Sequence, residues 1–193
     1  MYSLEEEFDN AILTMIAHPS EAWRENHFKD IISKVANIEL YYKSIDFYLE
    51  FKPMLLNDLL LILSSRLDHT RAVNYFIKLK QLPLVKPYLR SVQNINNKAI
   101  NESLNNLLIE EEDYQGLRNS IDAYDNFDNI SLAQRLEKHE LIELEINFAK
   151  EGTPEDNLAV KKQIMDATNH LCSVVRQSDG ADLIRARLVW DKR

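Results

Sequence analysis

Leu40-Tyr-Tyr-Lys-Ser-Ile-Asp-Phe-Tyr-Leu-Glu-Phe51, followed after Lys52-Pro53 by Met54-Leu-Leu-Asn-Asp-Leu-Leu-Leu-Ile-Leu63, decides the fold. The first segment carries Tyr41, Tyr42, Phe47, Tyr48 and Phe51, aromatic enough to cover a neighbour on either side. Pro53 closes it, because proline removes a backbone donor and clashes with the preceding turn. The second segment is apolar almost all round apart from Asn57 and Asp58, which predicts a helix buried on most sides in the middle of a stack.

Outward from this pair the same pattern recurs. Ser3 and Glu6 form a capping-box pattern before Leu4, Phe8, Ile12 and Met15, predicting a helix over about 4–16 that His18-Pro19-Ser20 ends. Phe28, Ile31, Ile32 and Val35 make a second stripe. Downstream, Asp68 is a candidate N-cap for a helix through about Lys80, with Ala72, Val73, Phe76 and Leu79 inside. Leu82-Pro-Leu-Val-Lys-Pro87 then predicts a late or distorted start to a helix reaching Gln93. Ile100, Leu104, Leu107 and Leu108 give another stripe, followed by helices over about Glu112 to Tyr124 and from a cap at Ser131. Helix starts recur roughly every 12 to 16 residues, so two make a hairpin of about 30, in the range of stacked helical repeats.

No glycine occurs between Met1 and Gln115. A sheet protein of this length needs many tight turns with positive φ, for which glycine is the usual residue. The predicted fold class is therefore all-α: an α-solenoid, a right-handed superhelix of stacked short helix hairpins. Glu151-Gly-Thr-Pro154 is the clearest break, before helices expected over about Glu155 to Gln177 and Ala181 to Trp190.

Composition narrows the function classes. With 193 residues, 45% of them hydrophobic, the chain can build a packed core. A net charge of −8 argues against non-specific nucleic-acid binding, which needs clustered Lys and Arg, and points to protein partners. The start, Met1-Tyr-Ser-Leu-Glu-Glu-Glu7, is not that of a signal peptide, and the longest apolar run, Leu59 to Leu63, is far too short to enter a bilayer as a span. Cys172 is the single cysteine, which excludes an internal disulfide and fits a reducing, cytosolic compartment.

The same residues carry no catalytic or metal-binding signature. The glycines at 116, 152 and 180 are isolated, so no phosphate loop exists. His18, His27, His69, His139 and His170 are scattered, and none has zinc-binding spacing. Asp122, Asp125 and Asp128 miss the calcium-loop pattern, and Asp128 with Asn129 reads better as a turn or N-cap. Glu110-Glu-Glu-Asp113 reads as a solvated helix start that favours the macrodipole, and Cys172 as an inert thiol. No cofactor, metal or catalytic residue is expected; the His139-Glu140 pair and the acidic clusters are all that favours a helical enzyme.

The charge pattern is more informative. From His69 to Asn101 there are six basic residues, Arg71, Lys78, Lys80, Lys86, Arg90 and Lys98, and no acid; Glu102 to Asp128 then holds eight acids against Arg118. These could be solvated faces. The alternative is that complementary patches fix the register of a rod against other rods or an extended helix. Arg71, Lys78, Lys80, Lys86 and Arg90 are the candidate protein-interaction residues, and His69 beside them would add pH sensitivity at such contacts.

Four stretches carry a family resemblance: Lys34-Val-Ala-Asn-Ile-Glu-Leu-Tyr-Tyr42, Leu67-Asp-His-Thr-Arg-Ala-Val-Asn-Tyr-Phe76, Leu82-Pro-Leu-Val-Lys-Pro-Tyr-Leu-Arg-Ser-Val-Gln93 and the run from Ser120 to His139. Together they resemble the proximal leg of the clathrin heavy chain, nearly unbroken from about Tyr2 to Glu143. The resemblance implies clathrin heavy-chain repeats over 1–143, the end of one repeat and the start of the next. It further implies a cytoplasmic structural segment on coated vesicles and coated pits, without membrane insertion, that docks clathrin light chain and neighbouring heavy chains. Residues 144–193 are read as a divergent helical tail: an alternative exon, a fused segment, an error in the gene's delineation or a diverged copy. The family's trimerisation segment and adaptor-reading propeller are not visible, so neither trimerisation nor adaptor binding carries over. A free-standing solenoid adaptor or an assembly-incompetent heavy-chain fragment is the alternative reading.

Overall fold

The computed structural model describes residues 3–139. The Glu151 to Pro154 break, the helices expected after it, and Cys172 lie outside the described residues. Among the described residues there are α-helices and short 3-10 turns and no strand. The chain divides into two compact units, Met1–Val92 and Gln93–Arg193. Within them helices pack on near neighbours in the chain, the organisation of an α-solenoid.

In the first unit α1 spans Leu4–Ala17 and begins with the capping box read from the sequence. Ser3 Oγ accepts from the Glu6 N–H at 3.3 Å, and Glu6 Oε2 accepts from the Ser3 N–H at 3.0 Å. Ile12 and Met15 are buried as expected, whereas Leu4, at the first helical position, is 66% exposed. Pro19 opens a single turn, α2 (Pro19–Ala22), where its missing N–H costs nothing. Helix α3 (Glu25–Ile32) buries Phe28 and Ile32, and α4 (Ile38–Phe51) starts where the Asn37 side chain accepts from the Glu39 N–H at 3.0 Å. The α1 helix packs on both α3 and α4.

Aromatics fill the α3 and α4 seam. Phe28 lies 5.4 Å from Tyr48 and 6.3 Å from Phe47, ring centre to ring centre, and Trp23 stands edge-on to Tyr48 at 6.2 Å. Each fully buried ring of this kind contributes roughly 1.5–3 kcal/mol of transfer free energy, so this cluster is a main source of the unit's cohesion. The loop before α4 is fastened from two sides, with the Val35 carbonyl accepting from the Tyr41 hydroxyl and from Arg66 Nη1, the latter at 2.8 Å.

A 3-10 turn at Pro53–Leu55 leads into α5 (Leu56–Leu63). Leu56, Leu59, Leu60 and Leu63 are fully buried, but Met54 is 88% and Leu61 45% exposed. The segment therefore buries one broad side rather than its whole circumference: Pro53 delays the helix, and Met54 falls in the turn before it. Helix α6 (His69–Lys78) begins with the expected Asp68 cap, whose Oδ1 accepts from the Arg71 N–H at 3.2 Å. It ends two residues earlier than the pattern suggested. Lys80 takes the left-handed conformation (φ 57°), while the Gln81 N–H reaches the Phe76 carbonyl and the Lys80 N–H the Ile77 carbonyl, both at 3.0 Å. This is a Schellman closure made without glycine.

The two prolines after α6 are resolved by a side chain from another helix. Leu82–Val85 forms a 3-10 turn and α7 (Lys86–Val92) follows. In a continuous helix the Tyr88 N–H would bond to the Leu84 carbonyl. Here the Asn57 carboxamide from α5 stands between them, donating through Nδ2 to the Leu84 carbonyl at 3.0 Å and accepting at Oδ1 from the Tyr88 N–H at 3.1 Å. Both backbone groups are satisfied although the rung is open, the usual way an inserted side chain bends a helix. This is why a polar residue sits in the apolar α5 segment.

The second unit starts with a 3-10 turn at Gln93–Ile95 and holds α8 (Lys98–Glu110), α9 (Tyr114–Ala123) and α10 over residues 129–139. Helix α8 buries Ile100, Leu104, Leu107, Leu108 and Ile109 together with Asn101, Ser103 and Asn105, and α9 packs on it. The buried polar groups are linked. The Ser120 hydroxyl accepts from Gln93 Nε2 and donates to Asn105 Oδ1, each at 2.8 Å. Asn101 Nδ2 donates to Asn96 Oδ1 at 2.8 Å and to the Asn126 carbonyl at 3.2 Å, while Asn126 Nδ2 donates to the Asn96 carbonyl at 3.0 Å. The 94–97 and 124–127 loops are thereby clasped together.

Two sequence expectations shift here. Glu110 to Glu112 lie at the end of α8, not at a helix start: Glu112 is left-handed (φ 57°), and Asp113 is the cap of α9. Acids at a helix C-terminus oppose the macrodipole. Arg135 Nη2, 2.8 Å from Glu110 Oε1, offsets part of that cost. The cap of α10 is Asp128, whose Oδ1 accepts from the Ile130 and Ser131 N–H groups at 3.0 and 3.1 Å, so Ser131 is inside the helix rather than its cap.

Replacing the spliced amide tests its role. Asn57→Leu leaves the Leu84 carbonyl and Tyr88 N–H without a partner and is expected to lower unfolding free energy by about 2–4 kcal/mol in urea titrations. A second prediction concerns acid stability. His69 Nδ1 lies 2.5 Å from the buried Tyr88 hydroxyl, and desolvation holds its pKa below the ordinary 6.5. The folded state thus takes up this proton less readily than the unfolded chain. Its contribution is complete above pH ~6.5 and is lost as pH falls from there through the lowered folded pKa. Urea midpoints measured between pH 7.5 and 5 should fall, and the fall should be smaller in His69→Gln.

Candidate interaction surface

The basic run of the first unit sits on α6, its C-terminal turn and α7. Arg71 and Lys78 are seven residues apart, two helical turns, and so share a face of α6 opposite the buried Ala72, Val73 and Phe76. Both are exposed. Lys86 and Arg90, four apart, share a face of α7. Lys80 projects from the left-handed corner that ends α6, and it too is exposed.

These five cations differ in how firmly they are held. The Arg71 guanidinium lies over the Tyr42 ring at 4.7 Å, and Tyr42 stands edge-on to Tyr75 at 5.0 Å. The Tyr75 hydroxyl donates to the Asp46 carboxylate. Burial pushes the Tyr42 and Tyr75 phenols up, so both rings stay neutral and keep their electron-rich faces. A stacked, oriented guanidinium presents its N–H groups in a fixed plane, which suits a carboxylate ligand. Lys78 sits in the last turn of α6, where its charge also complements the helix dipole. Ile77 and Leu79, 51% and 39% exposed, place apolar surface beside it.

The Tyr42, Asp46 and Tyr75 seam that orients Arg71 was not singled out in the sequence. Its signal was present in Tyr42 and Asp46, four apart on α4, and Arg71 and Tyr75, four apart on α6, but pairing the two helices needs the fold. His69, expected beside the basic run as a contact residue, is half-buried and turned to Tyr88 within the unit.

The acidic run behaves differently. Asp113 and Asp128 serve as helix caps, Glu102 Oε1 accepts from the Asp128 N–H at 3.1 Å, and Asp125 accepts from Asn96 Nδ2 at 2.9 Å. With Glu110 paired to Arg135, much of that negative charge does structural work inside the second unit. Among the described residues no group of three or more His, Cys, Asp or Glu side chains is placed to hold a metal ion, and no helix is long and apolar enough to cross a membrane.

Comparison with known proteins matches these features to a repeat family. The sequence model of a family described as a region in clathrin and VPS matches residues 60–181. The clathrin heavy chain of Drosophila melanogaster is 76% identical over 143 residues, 74% of this chain and 8% of that protein. Clathrin heavy chain 2 of Homo sapiens is 70% identical over 143 residues, again 74% of this chain and 9% of the relative. Clathrin heavy chain 1 of Arabidopsis thaliana is 48% identical over 195 aligned residues, 98% of this chain and 11% of the relative. The chain thus spans 8–11% of the length of these relatives. The family match and the plant relative both reach into residues 144–193. Helices packed on their neighbours in sequence, and a family match over residues 60–181, lead to one conclusion: this chain belongs to the clathrin repeat family.

Proposed function

We propose that this chain is a structural segment of a clathrin heavy-chain leg, a strut that works in the cytoplasmic coat of vesicles and offers a docking face to clathrin light chain and neighbouring heavy chains. The observation that carries this reading is the basic run of α6 and α7, which has no acid between His69 and Asn101, on a chain with high identity to clathrin heavy chains over 143 residues. Its role is to hold shape and present charge, with no catalytic step. Residues 144–193 are read as a diverged copy of the family's sequence, a reading supported by the family match through residue 181.

The docking mode is a helix laid along the solenoid, with acidic side chains meeting Arg71, Lys78, Lys80, Lys86 and Arg90 and an apolar edge on Ile77 and Leu79. Each exposed ion pair contributes only about 0–1 kcal/mol, so the contact is assembled from several weak terms and can be taken apart again. Arg71 is the best positioned of the five because its approach is already fixed by Tyr42.

The triple reversal Lys80→Glu, Lys86→Glu, Arg90→Glu is expected to weaken clathrin light-chain binding by roughly 1.5–3 kcal/mol, about ten- to a hundredfold, in pulldown or calorimetry. Tyr42→Leu, which removes the ring under Arg71, should weaken binding less. Unchanged affinity in the triple variant would remove this face from the docking surface.

A further inference from the structure

The second unit contains a cleft of about 380 Å³ between α8, the 124–128 loop and the first turns of α10. We propose that this cleft binds an extended peptide segment of a protein partner that carries a carboxylate beside an apolar side chain. Its occupant is an extended segment, where the occupant proposed for the α6 and α7 face is a helix.

The inference starts at Asn105. This residue lines the cleft, is 1% exposed, and uses Oδ1 to accept from Ser120, yet its Nδ2 is buried without a hydrogen-bond partner among the described residues. A buried amide donor left open is costly, and such groups in a cleft call for an acceptor. The Ser120 hydroxyl, engaged by Gln93 on its other side, fixes which end of the Asn105 amide faces it.

The rest of the lining combines side chains rich in donors with two carboxylates that are already partly engaged. Glu102 Oε1 takes the Asp128 N–H at 3.1 Å and faces Lys98 Nζ at 4.0 Å, while Asp128 Oδ1 takes the Ile130 and Ser131 N–H groups. Arg135 spends one nitrogen on Glu110, and a guanidinium carries five N–H donors. Lys98 and the Asn106 side-chain amide add further donors at the mouth. A ligand that meets the open donors, the Asn105 amide first among them, brings acceptors. A carboxylate is acceptor-only, with about four lone-pair sites, and the carbonyls of an extended backbone add to it. Phe127 and Leu132 supply an apolar wall for a neighbouring side chain. A helix about 10–12 Å across would not enter a space of this volume, which selects an extended occupant.

The test uses the full 193-residue chain, isotopically labelled, and the terminally blocked pentapeptide Gly-Leu-Asp-Leu-Gly in an NMR titration. The expected result is saturable shifts of the Asn105 and Asn106 side-chain amides, with binding weakened tenfold or more by Arg135→Gln or Asn106→Ala. Lys138→Gln, exposed and outside the cleft, should leave affinity within twofold. A peptide ending in a free carboxylate after leucine tests the other source of the group, and saturable shifts at the same amides from it alone would assign the ligand to a chain terminus. Equal binding of the Asp-to-Asn peptide, shifts confined to residues outside the cleft, indifference to Arg135→Gln, or no binding by either carboxylate peptide would overturn the proposal.

Discussion

Short helices leave many backbone groups open at their ends, and a chain built from them must close each end or bury unsatisfied N–H and C=O groups. That constraint governs this molecule more than any single apolar contact. Ser3, Asn37, Asp68, Asn97, Asp113 and Asp128 each accept from the first turn of the helix they precede. Lys80 and Glu112 enter the left-handed region so that the last carbonyls of α6 and α8 are used. Asn57 reaches across from a different helix to fill the rung that the Leu82 to Pro87 segment cannot close on its own. With the corners satisfied in this way, the apolar and aromatic stripes are free to face one another.

The use of side chains at corners also explains the charge distribution. The acids of the second unit are largely spent on caps and loop fastening, and those at the end of α8 are partly neutralised by Arg135. Arg71, by contrast, is oriented by the face of the Tyr42 ring.

Much of the fold was legible from residue patterns. The Ser3 and Glu6 box, the Asp68 cap, and the burial of Phe28, Ile32, Phe47, Phe76 and Tyr88 follow from local chemistry and helical period, which depend only on near neighbours. What escaped was non-local. Asn57 looked like an exception in an apolar helix because its partners, Leu84 and Tyr88, are far along the chain. The Glu110 to Glu112 run looked like a helix start because glycine, the usual mark of a helix end, is absent there. Met54 looked buried because composition does not reveal that Pro53 places it in a turn. The ring beneath Arg71 and the open amide of Asn105 depend on which helices meet, and no local pattern carries that.

The hydrogen-bonded chain from Gln93 through Ser120 to Asn105 has a further effect on how α8 and α9 sit together. Two helices joined only by leucines can slide past each other by a turn and lose little, because one aliphatic side chain fills another's place. Here such a slip would strand an amide and a hydroxyl, at about 1–3 kcal/mol for each group left without a partner. The pair is therefore keyed rather than merely greased, with Ser120 setting the axial register of α9 against α8.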